Sequence, residues 1–133
     1  MKILVLSLLL VVSVQVNAAN AKVELGKYRA VDSDTKTVIS TFTLRADGTV
    51  NFNVTTPDFT MPAPGCEGKY KVVENEFTAD LICPTDLLPK ASVKIDITNV
   101  NPQSLRTENG VEVNVIIDAL GDEPAKFLLK KDD

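Results

Sequence analysis

The chain predicts an all-β fold: an antiparallel up-and-down meander of eight or nine strands, closed into a small barrel and pinned by one disulfide. Three observations carry this. Apolar residues alternate with polar ones at period 2 from about residue 23 onward, the repeat of strands with one buried face, and nowhere recur at i, i+3, i+4 and i+7 as a helix requires. Short turn signals separate these runs at the spacing of consecutive hairpins. The chain's only two cysteines, Cys66 and Cys83, stand at equal distances on either side of one such turn.

The opening strand is read over residues 23–31. In the next hairpin Val38, Ser40, Phe42 and Leu44 share a face, as do Val50, Phe52 and Val54. Ala46-Asp47-Gly48 joins them as a three-residue loop, with Gly48 placed to take positive φ. Cross-strand partners then have numbers summing to 94, setting Leu44 opposite Val50 and Phe42 opposite Phe52. The cysteine hairpin turns on Glu74-Asn75 with a sum of 149. That register puts Tyr70 with Ala79, Val72 with Phe77 and Gly68 with Leu81 on one face, and Lys69 with Asp80 on the other. Cys66 and Cys83 also sum to 149, at a non-hydrogen-bonded pair where Cα atoms lie about 4.5 Å apart. A disulfide spans about 4.4–6.8 Å, so the register brings the cysteines within bonding reach.

Val93, Ile95 and Ile97 alternate with Lys94 and Asp96 in a further strand. Residues 103–107 are read as the next, joined through Glu108-Asn109-Gly110 to Val111, Val113, Val115 and Ile117, with Leu105 against Val113 inside and Arg106 against Glu112 outside. Ala125, Phe127 and Leu129 alternate with Lys126 and Lys130 in the last. Closing the meander removes its exposed edges; a two-sheet sandwich is the other way to bury the same faces. An outer-membrane barrel is excluded, because its lipid-facing side must be apolar and here the second face carries Lys, Asp, Thr and Asn.

Residues 1–21 have the layout of a cleaved secretory signal: Lys2, an apolar run over residues 3–14, then the small-x-small sequences Val16-Asn17-Ala18 and Ala19-Asn20-Ala21. The run falls short of the about 20 residues that span a bilayer. The expected organisation is a signal peptide over 1–21 and a single barrel domain over 22–133, without a transmembrane segment, monomeric, and exported to a periplasm or the extracellular space. An oxidising compartment agrees with a Cys66–Cys83 bridge. With Lys2 set aside, thirteen scattered basic residues face eighteen acidic ones, which disfavours nucleic acid or an anionic membrane as partner.

The chain contains no histidine, which removes Ser-His-Asp, Cys-His and His-metal chemistry. The acidic pairs Asp32/Asp34, Asp122/Glu123 and Asp132/Asp133 lack the glycine and twelfth-position glutamate of a calcium loop and read as solvated turn residues. No catalytic residue, metal site or cofactor is expected. Asn53-Val54-Thr55 is a glycosylation acceptor sequence with Asn53 on the solvent face. Residues 55–65, with three prolines, leave Phe59 and Met61 without a place in any strand, and Leu87 and Leu88 between Pro84 and Pro89 pose the same question. Long ordered connections of this kind are often binding loops.

Gly26-Lys27-Tyr28 in the first strand, followed by a hairpin meander with one disulfide, resembles the lipocalin-like (calycin-type) small barrels, whose first strand carries Gly-x-Trp. Here Tyr28 replaces Trp, and no Arg occurs in the final strand to stack on it. The resemblance implies that the aromatic residue closes one barrel end and that the interior holds an apolar small molecule. On that reading the protein is a non-enzymatic exported binding module. Its ligand-binding residues would be the inward Phe42, Phe52, Val54, Tyr70 and Phe127, with Phe59 and Met61 at the entrance; a cavity of about 300 Å³ or more is required for a ligand of ordinary size. Small exported barrels with one disulfide also look like periplasmic inhibitors of proteases or lysozymes. In that case residues 19–24 or 55–65 would engage a target enzyme. A structural, envelope-associated role is the third expectation.

Overall fold

Strands β1 (Gly26–Asp32), β2 (Val38–Leu44), β3 (Thr49–Thr56), β5 (Cys66–Val73), β6 (Glu76–Ile82), β7 (Lys90–Asp96), β8 (Val111–Ile117) and β9 (Ala125–Lys131) each pair antiparallel with the next, and β1 meets both β2 and β9. The result is a closed eight-stranded up-and-down barrel. The short β4 (Phe59–Thr60) folds back on Thr55 and Thr56 of β3. This computed structural model describes residues 22–132; the signal sequence read over 1–21 lies outside the described residues.

Both central registers hold. Leu44 faces Val50 and Phe42 faces Phe52, across a loop in which Gly48 takes φ 86° and its N–H donates to the Arg45 carbonyl at 3.1 Å. Tyr70 faces Ala79, Val72 faces Phe77, and Lys69 meets Asp80 on the outer side. The Cys66–Cys83 disulfide continues that ladder, with Cα atoms 4.1 Å apart.

Three expectations are corrected. Residues 103–107 form no strand: Ser104–Arg106 is a single 3-10 turn. The Ser104 N–H donates to Asn101 Oδ1 at 2.8 Å, and the Asn101 N–H donates to Ser104 Oγ at 3.0 Å. These local bonds win over a ladder, because one apolar residue in the segment supplies too little burial to hold an extended strand. The first strand begins at Gly26 rather than residue 23. Val38 turns outward and is 42% exposed, since the register slips between Ala30 and Val31 and leaves Ile39 as an extra residue in β2. The expected count of about nine strands is met with changed membership, β4 standing in for residues 103–107.

One end of the barrel is closed. Ile97, Val100 and Leu105, from the connection between β7 and β8, are at most 1% exposed and lie with Val23 beneath the strands. The segment ahead of β1 is tied down. Lys22 Nζ donates to Asn75 Oδ1 at 2.6 Å, and Arg106 forms two bonds of 3.0 Å to the Glu24 carboxylate. Loops 33–37, 57–65, 83–89 and 118–124 all gather at the opposite end. The wall between the ends is uneven. Every residue of β7 pairs with β6, but only Val93, Lys94 and Ile95 pair with β8.

Three turns are built on one carboxylate each. Asp47 Oδ1 accepts the hydroxyl and N–H of Thr49 at 2.6 and 3.0 Å, Asp96 Oδ1 accepts those of Thr98 at 2.5 and 3.0 Å, and Asp32 Oδ1 accepts the N–H groups of Asp34 and Thr35 at 2.8 and 3.0 Å. Hydrogen bonds to the charged form hold all three acids below their ordinary value of 3.8, led by the Thr49 and Thr98 hydroxyls and, for Asp32, by the Thr35 N–H. Because the folded values are depressed, this stabilisation is complete above the unfolded value and is lost as pH falls through the folded ones. These groups are therefore expected to contribute fully and without pH dependence to the melting temperature between about pH 5 and 7, and to let it decline below about pH 4. Replacing Asp47 and Asp96 by Asn should flatten that decline; an equal acid slope in the variant would refute the assignment.

Candidate functional site

Register builds the interior. Tyr28 is paired with Phe42 and Phe42 with Phe52, so three rings from β1, β2 and β3 stand in a row. Their centroids are 5.0 and 4.9 Å apart and their planes are within 5° of parallel. Phe77 of β6 leans on Phe42 at 6.2 Å and stacks on Tyr70 at 5.5 Å. Tyr28 seals the closed end. Its Oη donates to the Glu24 carbonyl at 2.6 Å, and Lys131 Nζ of β9 lies 5.6 Å from its ring centroid, within cation–π range. Burial, and next the Glu24 carboxylate, push the phenol well above its usual range, so it stays neutral and remains a donor.

On the other side of the aromatic row the barrel is hollow. Phe42, Phe52, Ile95, Val113 and Leu129 form the floor and sides of a cavity of about 120 Å³, and Ile39, Val54, Thr56, Ile117 and Phe127 its half-buried rim. The burial gradient from floor to rim shows that it opens at the loop-bearing end. Its two hydroxyl side chains are engaged within the protein. Ser40 Oγ donates to the Asn53 carbonyl at 2.9 Å, and Thr56 Oγ1 accepts the Phe59 N–H at 3.0 Å. The lining therefore offers only apolar surface, and so dispersion and desolvation alone.

Of the residues singled out from the sequence, Phe42, Phe52, Val54 and Phe127 line this cavity. Tyr70 does not: it sits toward the closed end, half-buried, with its Oη donating to the Arg45 carbonyl at 3.4 Å. Met61 is buried, its Sδ 3.8 Å from Cys66 Sγ, and packs the disulfide into the core. Phe59 is half-buried against the same core. Ile39, Ile95, Val113, Val115 and Ile117 complete the cavity. Period-2 alternation marked the last four as inward; only the bulge in β2 brings Ile39 to the rim. Asn53 of the glycosylation sequence is half-buried rather than free on the surface, and its Nδ2 donates to Asn51 Oδ1 at 2.8 Å.

Among the described residues, no group of three or more Cys, Asp and Glu side chains is placed to hold a metal ion. The fold and the site define a small antiparallel β-barrel closed at one end and carrying an apolar pocket at the other. Comparison with protein-family models, with curated proteins and with solved structures finds no match.

Proposed function

We propose that the protein is a non-enzymatic, exported binding module that takes a small apolar group into the open end of its barrel. The observation that carries this is the cavity. It is apolar throughout, about 120 Å³, and comparable to the dry engineered cavity of about 150 Å³ that binds benzene. It lies below the roughly 300 Å³ at which drug-sized ligands begin, so the guest is a single ring or a short alkyl end. The lipocalin-like resemblance supports the same reading, with Gly26 and Tyr28 at the closed end and Lys131 in the place of the expected Arg. A buried disulfide suits an oxidising compartment, periplasmic or extracellular.

Toluene, titrated against the folded protein, is expected to move the methyl resonances of Val54, Val115 and Ile117 and to raise the melting temperature by mass action. An Ala30→Leu variant, which fills the cavity from β1, should lose both effects while keeping the barrel fold. Unmoved methyl resonances at saturating toluene in the unmodified protein would refute the reading.

A second reading, an inhibitor of a protease or lysozyme, is favoured by Leu87. It is 83% exposed on a loop closed by the Cys83 N–H donating to the Pro89 carbonyl at 2.9 Å and anchored by the disulfide. A rigid apolar tip of this kind fits a partner's pocket. Residues 22–24, tied beneath the barrel, do not project. If this reading holds, Leu87→Asp removes inhibition of a panel of secreted proteases and lysozymes; absence of inhibition by the unmodified protein excludes it.

A further inference from the structure

The open end of the barrel is charged as well as hollow. The segments that border the cavity mouth, residues 32–37, 57–58 and 118–124, hold Asp32, Asp34, Asp58, Asp118, Asp122 and Glu123 against a single cation, Lys36. Over residues 22–132 the other side chains number eleven acidic and twelve basic, so these segments carry the excess of negative charge. Chain connectivity fixes how near. Asp118 directly follows the rim residue Ile117, Asp58 lies two residues beyond the rim residue Thr56, and Asp32 two beyond Ala30 of the lining. Two residues of strand span about 7 Å.

Among the described residues none of these carboxylates forms an ion pair within 4 Å. Asp34, Asp58, Asp122 and Glu123 are exposed and have no side-chain partner among the described residues. Asp32 is held by the N–H groups of Asp34 and Thr35 and by the Thr35 hydroxyl, with Lys36 the nearby cation, and Asp118 Oδ1 accepts the Ser92 N–H at 2.8 Å. An apolar recess with like charges on the segments leaving its rim repels an anion and attracts a cation, and a low-dielectric wall concentrates the field at its opening.

We propose that the ligand is a cationic amphiphile: an ammonium group carried on a ring or short alkyl chain, the tail in the cavity and the charge among the mouth carboxylates. This rests on the binding reading above and adds the ligand's charge. Three probes with one tail separate the contributions: n-hexylamine, 1-hexanol and hexanoate, each titrated at neutral pH and low salt against the Val54 and Ile117 methyl resonances. Hexylamine is expected to bind about three- to tenfold more tightly than hexanol, the scale of a few exposed ion pairs, and hexanoate most weakly. Raising the salt to about 0.5 M should shrink the difference. The triple variant Asp58→Asn, Asp122→Asn, Glu123→Gln alters only exposed side chains without partners, and should bring hexylamine to the affinity of hexanol; its melting temperature checks folding. Equal binding of hexylamine and hexanol by the unmodified protein, or tighter binding of hexanoate, overturns the cationic ligand while leaving the apolar site standing. Failure of all three probes to bind overturns both.

Discussion

Reduction of the Cys66–Cys83 bridge is expected to lower the melting temperature by about 10–20 °C. The bond closes a loop with a sequence separation of 17, for which lost chain entropy in the unfolded state corresponds to about 3 kcal/mol, and a domain of this size shifts by roughly 4–6 °C per kcal/mol. The bridge does more than shorten the unfolded chain. Cys66 opens β5 directly after the proline-containing connection, and Cys83 directly follows β6 and opens the Leu87 loop, so one bond anchors two of the four loops at the open end. Met61 packs on it. Thermal melts with and without reductant, and of a Cys66→Ser/Cys83→Ser double variant, measure the effect. Unchanged melting would show that the bridge contributes nothing to stability.

Truncation of Tyr28 should be of similar or larger size. The residue is 1% exposed, stacks on Phe42, and seals the closed end; removing a buried aromatic ring costs about 3–5 kcal/mol in lost burial and residual cavity. Tyr28→Ala is therefore expected to halve or nearly abolish the stability of a domain in the usual range. Tyr28→Phe keeps the ring and loses only the 2.6 Å bond to the Glu24 carbonyl, worth about 1 kcal/mol. Denaturant midpoints for the two variants separate packing from hydrogen bonding. Equal losses would mean that the hydroxyl, and not the ring, holds this end.

Much of the barrel was legible because hairpin registers are arithmetic. Gly48 and the Glu74-Asn75 turn fix which residue faces which, and every pair that follows is determined by the period-2 alternation on both sides. The reading failed where alternation alone was trusted. Gln103, Leu105 and Thr107 alternate like a strand, but Asn101-Pro102 and Ser104 supply turn chemistry that competes locally and prevails. The bulge at Ile39 was invisible, since nothing in the sequence marks an extra residue there. Lys131 carries no such mark either, since it reaches the Tyr28 ring with an ammonium rather than the guanidinium that the resemblance implies. Inward residues were identified, but the emptiness they enclose depends on how side chains from six strands fill a shared space, which no single run of residues records.

The short ladder between β7 and β8 gives the barrel a direction. A wall held by so few bonds at one seam parts there at lower cost than elsewhere, and Ile95, Val113, Val115 and Ile117, which border the cavity, stand on both sides of it. Three residue pairs thus close the wall beside the pocket, and their separation would open a side door to it as well as the mouth, with the loops above left in place. Amide deuteration at Val93, Ile95, Val115 and Ile117 would register each opening.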